Sequence, residues 1–297
     1  MKGMYYRRKI ILALLQSFEG ELNKYRLQKL LFLFTRKQES KSFDFVPYKY
    51  GCYSFQANAD LLTLCKYNLV TQDNDKWVCL DKNIYAEALK KEDKNILSTI
   101  KREYGEMSTE QLIKHTYQNY PYYATKSRIA EKILDNIELE RISLQRREGT
   151  DTILFTIGYE GISLETYINK LLINDVRVLC DVRKNSFSMK FGFSKSQLSK
   201  ACEGVGIQFL HIPEVGIISE KRKELHTQAD YDSLFLNYTN TVLKEEKQKL
   251  KEILQLLKEQ KRIALTCFEK NIHQCHRKHL AHTIEALNGF EYSVKHI

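Results

Sequence analysis

Four short apolar runs, residues 153–157, 176–182, 207–212 and 262–266, each precede a polar turn and then a segment that starts as a helix or a loop leading to one. That alternation leaves few folds open to the second half of the chain. Runs this short and apolar, separated by helical segments, indicate parallel strands covered on both faces. The helices carry their own start signals. Ser163 caps one that runs to Leu172, and Ser194 with Gln197 forms a capping box for one ending at Cys202. Asp230 caps a long helix over residues 231–259, and Asn271 caps the last, which Asn288-Gly289 ends. The expectation is a Rossmann-like α/β domain over residues 150–297.

In such a sheet the carboxyl ends of the strands share one edge, and ligands bind in the crevice there. Gly158, Tyr159 and Glu160 follow the first strand, and Asp181 and Arg183 end the second. His211 and Glu214 end the third, and Cys267 and Glu269 the fourth. Their convergence is the main indication of a site. The stretch from Cys267 to Arg277 adds a second thiol, Cys275, and the pair His276-Arg277. At 100° per residue, Leu280, Ile284 and Leu287 mark the core face of the last helix, His276 and Arg277 look into the crevice, and Cys275 is turned away with His279 and His282. Free N–H groups at a helix start, joined by Arg277, suit an anion such as a phosphate or carboxylate.

Several chemistries compete for these residues. A thiolate at Cys267 would be activated by Arg277 and the helix start, but phosphatase-like loops place cysteine and arginine six apart, and here they are ten apart. Zinc would draw on Cys267, Cys275, His276 and His211, yet the spacing fits no standard zinc frame, so no metal and no cofactor is expected. Acid–base work would fall to Asp181 and Glu269, with Glu160 and Glu214 nearby. Catalysis is left open, with Cys267, Glu269 and Asp181 as its candidates. The loop 184–193 brings Lys184, Lys190 and three phenylalanines, Phe187, Phe191 and Phe193, to the same edge, a set suited to stacking a base and holding phosphate, or to packing over the domain.

The first half reads differently. Residues 4–17 and 23–34 have helical spacing, the second with Leu27, Leu30, Leu31 and Phe34 on one stripe. Residues 43–50 read extended. Ser54 caps a third helix with Leu61, Leu62, Leu64 and Cys65 inward, and residues 69–80 alternate about an Asp-Asn-Asp turn, a hairpin signal. Three helices and a hairpin outline a winged-helix-like module over 1–82, followed by a helical connector over 83–149 with a capping box at Ser108 and Gln111. Tyr117, Tyr120, Tyr122 and Tyr123 cluster about Pro121, as a base-stacking surface or a packed interdomain one. The third helix has no arginine, and only Gln56 and Asn58 are base-reading types.

Charge gives the partner class. Residues 1–148 hold 26 basic and 19 acidic side chains, against 21 and 18 in the remainder, so the excess sits in the first half. A basic half favours a polyanion, with DNA the first choice. No apolar run is long enough for a membrane span. The apolar run 10–15 is short, so the basic start is expected as a cytosolic helix rather than a signal peptide. Seven scattered cysteines suit reduced thiols in a cytoplasm.

The motifs also carry resemblances. Thr156-Ile-Gly-Tyr-Glu160, Cys180-Asp-Val-Arg183, Phe209-Leu-His-Ile-Pro-Glu214 with Gly216, and Cys267-Phe-Glu-Lys270 followed by Cys275-His-Arg277 resemble the domain-of-unknown-function family 488, over about residues 152–287. The resemblance implies a compact α/β domain whose motif positions line one pocket, and an association with DNA repair or nucleic-acid processing. Ile272 stands where the family usually has proline. Residues 5–80 resemble the SocA-like (Panacea) antitoxin domain through Leu27-Gln-Lys-Leu30 and Tyr48-Lys-Tyr-Gly-Cys-Tyr53, which implies a binding module without catalysis. The expected function is therefore a nucleic-acid-associated protein whose α/β domain binds a nucleotide, a nucleic-acid end or another anion. The alternatives are a ligand-sensing DNA-binding regulator and a defence or toxin–antitoxin interaction protein.

Overall fold

The computed structural model describes residues 3–218 and 225–297. It divides into two units, Met1–Arg146 and Arg147–Ile297. The first holds α1 (Tyr6–Ser17), β1 (Glu21–Asn23), α2 (Lys24–Lys37), a hairpin of β2 (Val46–Tyr48) and β3 (Gly51–Tyr53), α3 (Phe55–Lys66), and a second hairpin of β4 (Val70–Asp73) and β5 (Lys76–Cys79). β1 joins the second hairpin in the antiparallel order β1-β5-β4. Asn23 and Ser54 start α2 and α3 by accepting from the amides of Tyr25 and Ala57. The expected inward face of α3 is right at Leu61 and Leu64 but not at Leu62, which is 48% exposed. Asp60 is buried on that helix instead, where Arg7 and Arg8 neutralise it at 2.5 and 2.6 Å.

Residues 83–146 continue as α4 (Lys91–Tyr104), α5 (Thr109–Asn119), α6 (Ala130–Ile133) and α7 (Asn136–Ser143). The sequence reads residues 83–149 as a helical connector. Tyr85, Leu97, Ile100 and Leu112 share one core with Ile10–Leu15 and the apolar stripe of α2. The tyrosines about Pro121 pack inside the first unit: Tyr120 and Tyr123 meet Phe32 edge-on at 5.0 and 4.7 Å.

The second unit runs β6 (Ile153–Gly158), α8 (Leu164–Ile173), β7 (Val178–Asp181), α9 (Lys195–Gly204), β8 (Gln208–His211), α10 (Gln228–Asn240), α11 (Val242–Glu245), α12 (Lys247–Gln260), β9 (Arg262–Cys267), α13 (His276–Glu285) and β10 (Ser293–His296). The strands form one parallel sheet in the order β10-β6-β9-β7-β8. β7 and β9 are buried along their whole length and β6 along nearly all of it, as expected for strands covered on both faces. β10 was not anticipated. It is a largely exposed edge strand without the apolar run that marks the others.

Two helix boundaries differ from the expectation, each for a local reason. The helix expected over 231–259 breaks at Thr241 (φ −110°, ψ −84°), whose hydroxyl donates to the Asn237 carbonyl. Its cap is Thr227, with Asp230 as the reciprocal partner three residues on. At the last helix, Asn271 caps only a short 3₁₀ turn, Ile272–Gln274, and Cys275 is extended (φ −131°, ψ 134°) as the residue before α13. The helical phase therefore cannot be projected back through Cys275. Ser194 starts α9 without capping it. Its hydroxyl closes the loop by donating to the Ser188 carbonyl, while Gln197 accepts from the Gly192 amide.

Candidate functional site

Strand register brings the site together. Gly158 lies opposite Cys267, and Asp181 lies opposite both Thr266 and His211, so the carboxyl ends of β6, β9, β7 and β8 form one line. A cavity of about 330 Å³ opens there. Tyr159, Arg183, Lys184, Cys267, Glu269 and His276 all line it, which brings together six of the residues singled out from the sequence.

On the floor, Cys267 is buried, and its Sγ lies 3.1 Å from Glu269 Oε2 and 3.4 Å from His276 Nδ1. His276 is buried too, with Nε2 3.0 Å from the Val182 carbonyl. A carbonyl oxygen only accepts, so Nε2 donates to it, and that bond fixes the ring with Nδ1 toward the sulfur. Cys275 joins them: the donor atoms of Cys267, Cys275 and His276 all lie within 4.8 Å of one another. This corrects the expectation that Cys275 faces away, and the extended backbone at Cys275 is the reason. Burial, followed by the neighbouring Cys267, pushes the Cys275 thiol well above its ordinary value.

One wall is an ion pair. Arg183 donates from Nε and Nη2 to the two carboxylate oxygens of Asp181 at 2.7 and 2.6 Å, and from Nη1 to the Tyr159 hydroxyl at 2.6 Å. Burial alone would pull the guanidinium down, but Asp181 outweighs it and holds Arg183 above its ordinary value. Of five guanidinium N–H groups these bonds use three. Asp181 is wholly buried and does not line the cavity. The backbone behind Arg183 is clamped by two imidazoles, His276 on the Val182 carbonyl and His211 on the Arg183 carbonyl at 3.0 Å.

Residues 163–284 match the family model described as Domain of unknown function DUF488. The second unit carries a DUF488 domain. Comparison with curated proteins gives no match. The match runs from the start of α8 to the end of α13, so every strand end of the site except that of β6 falls within it.

Within the second unit the remaining predicted residues have other surroundings. Arg277 is buried and holds the site loop from behind, donating to the carbonyls of Glu269 and Lys270. Gly158 lies beneath the same loop: a β-carbon there would stand 2.0 Å from the Glu269 carbonyl oxygen, so only glycine allows the approach. Glu160 accepts from the Lys270 amide at 2.9 Å. Glu214 lines a neighbouring cavity and lies 3.9 Å from Lys249. Lys190 donates to the Tyr159 carbonyl at 2.6 Å, and burial lowers its pKa. Phe191 does not line the cavity. Phe187, Met189 and Phe268 do, at 72%, 95% and 42% exposure. Phe187 is one of the three loop phenylalanines read from the sequence, whereas Met189 and Phe268 were not singled out, although an apolar residue in an otherwise polar loop is itself a signal.

The first unit has a cavity of its own, about 320 Å³, with Tyr25, Tyr48, Tyr50, Tyr53 and Trp77 around Lys29. Lys29 is buried, donates to the Cys52 carbonyl at 3.1 Å, and has its pKa lowered by burial. On α3 the exposed and half-exposed positions are Phe55, Gln56, Asn58, Ala59, Leu62, Thr63, Cys65 and Lys66, a face with one cation. Among the described residues, no helix is long and apolar enough to cross a membrane.

Proposed function

We propose that the DUF488 domain binds a nucleotide unit or a nucleic-acid end in the cavity at the carboxyl edge of its sheet, as part of nucleic-acid processing. The observation that carries this reading is the exposed apolar rim, Phe187, Met189 and Phe268, set beside Lys184 and the uncommitted N–H groups of Arg183. Exposed rings next to fixed cationic donors suit a flat base joined to a phosphate. Arg183 acts here as a rigid hydrogen-bond donor more than as a net charge, because Asp181 neutralises it. Lys184, exposed, supplies the charge.

The first unit serves this reading as a companion module. Its third helix offers a major groove little to read with, and the tip of its second hairpin carries Asp73 and Asp75. On this reading nucleic acid engages the second unit rather than the first. The seven cysteines form no disulfide, which fits a reducing, cytoplasmic setting.

Binding of adenosine monophosphate and of a short single-stranded oligonucleotide, with and without a terminal phosphate, tests the reading. Phe187→Ala is expected to weaken binding about tenfold, the size of one lost base stack. Lys184→Ala is expected to remove the preference for the phosphorylated end. Equal binding of both ends, undiminished in Phe187→Ala, would refute it.

A further inference from the structure

The geometry points to a cation site at the floor of the cavity: Cys267, Cys275 and His276 hold a thiophilic divalent ion of the zinc class, with its fourth position toward the cavity beside Glu269. The donors come from three different backbone settings, a strand end, an extended cap residue and the first residue of a helix. Their sequence spacing resembles no zinc frame because the 3₁₀ turn Ile272–Gln274 folds the chain back between the two thiols. In space the fit is close. Cys267 Sγ and His276 Nδ1 are 3.4 Å apart, near the roughly 3.5 Å that two ligands of a tetrahedral zinc ion keep. All three donors lie within 4.8 Å of one another and all three are buried.

The surroundings of His276 favour a cation over a simple thiol pair. A metal-bound imidazole gives its other N–H to a carbonyl or carboxylate, which fixes the ring and aims the lone pair. Val182 accepts that N–H at 3.0 Å, and the ring is held further by Tyr238, edge-on at 5.6 Å. Among the described residues the site has three protein ligands, two sulfurs and one nitrogen, beside a cavity, which is the donor set of reactive zinc sites rather than of closed structural ones. Cys267, His276 and Glu269 line that cavity, and Cys275 does not. The inference does not depend on what the cavity binds.

The test uses the full chain, purified in reductant. Its zinc content is measured by mass spectrometry, and the chelator-stripped protein is then titrated with Co²⁺. About one equivalent should bind, with thiolate charge-transfer bands and the strong visible bands of tetrahedral cobalt. Cys275→Ser should weaken that binding at least about tenfold, no less than the loss of an outer-shell partner does. Cys65→Ser, in the first unit, should leave it unchanged. The unaltered protein gives a second readout that does not rely on a variant folding. Zn²⁺ should protect Cys267 and Cys275 from alkylation, mapped by peptide mass spectrometry. Absence of charge-transfer bands, or alkylation of the two cysteines at the same rate with and without Zn²⁺, would overturn the inference. So would a Cys267–Cys275 disulfide whose reduced form binds no Co²⁺, which would assign the pair to redox chemistry.

Discussion

Asp181 shows how far a single residue can be read. Its place at a strand end is legible from the apolar run before it, and so is its closeness to Arg183. Its state is not. Whether a strand-end carboxylate faces a ligand or an internal cation depends on side-chain packing that no spacing encodes, and here both oxygens serve Arg183. A buried pair is worth little against an apolar replacement of both partners, but losing one partner strands the other charge. Asp181→Ala is therefore expected to destabilise the second unit by roughly 3–5 kcal/mol. Denaturant unfolding would check this, and a loss under about 1 kcal/mol would mean that Arg183 finds water. Arg277 teaches the same lesson from the other side. The sequence puts it next to the site, and the fold spends it on two carbonyls behind the loop.

Elements were legible where their period or their caps were strong. The three inner strands, the start of α8 at Ser163 and the capping box of α5 are all where the sequence puts them. What stayed hidden were the short or irregular pieces: β10, with no apolar run, the break at Thr241, and the 3₁₀ turn that reverses the facing of Cys275. The last of these matters most, because one irregular turn decided whether three donors meet. α13 also carries a pH response. His279 is half-buried, with its ring 4.6 Å from Phe235 of α10. Burial first, then Lys278 and His282, lower its pKa below the ordinary 6.5, while Asp232 works against them. The unfolded chain then binds a proton more readily than the fold, so this contribution is present above pH 6.5 and is lost as pH falls below it. The melting temperature should drop between pH 7 and 5, and His279→Gln should flatten part of that drop. An unchanged slope in the variant would place the response at His115 or His296, which burial also shifts downward.

At the scale of the molecule, the chain divides into Met1–Arg146 and Arg147–Ile297. Residues 83–146 read as a helical connector because their helices are polar outside, yet their apolar faces complete the core begun by α1 and α2. The charge is also divided in a way that can be tested. The basic excess lies in the first half, while the proposed site lies in the second, with Lys184 as its exposed cation. If nucleic acid engages only the cavity, log affinity should fall with log salt at a slope near −1. A slope of −4 or steeper would show that the first unit contributes several phosphate contacts. The close approach at Gly158 has a consequence for anyone who would transplant this site. The stretch from Cys267 to Arg277 is contiguous, but it keeps its shape only above a strand end without a side chain and beside a carbonyl at position 182. The portable unit is therefore three separate pieces of chain, and a graft that copies the motif alone would carry over its atoms without its geometry.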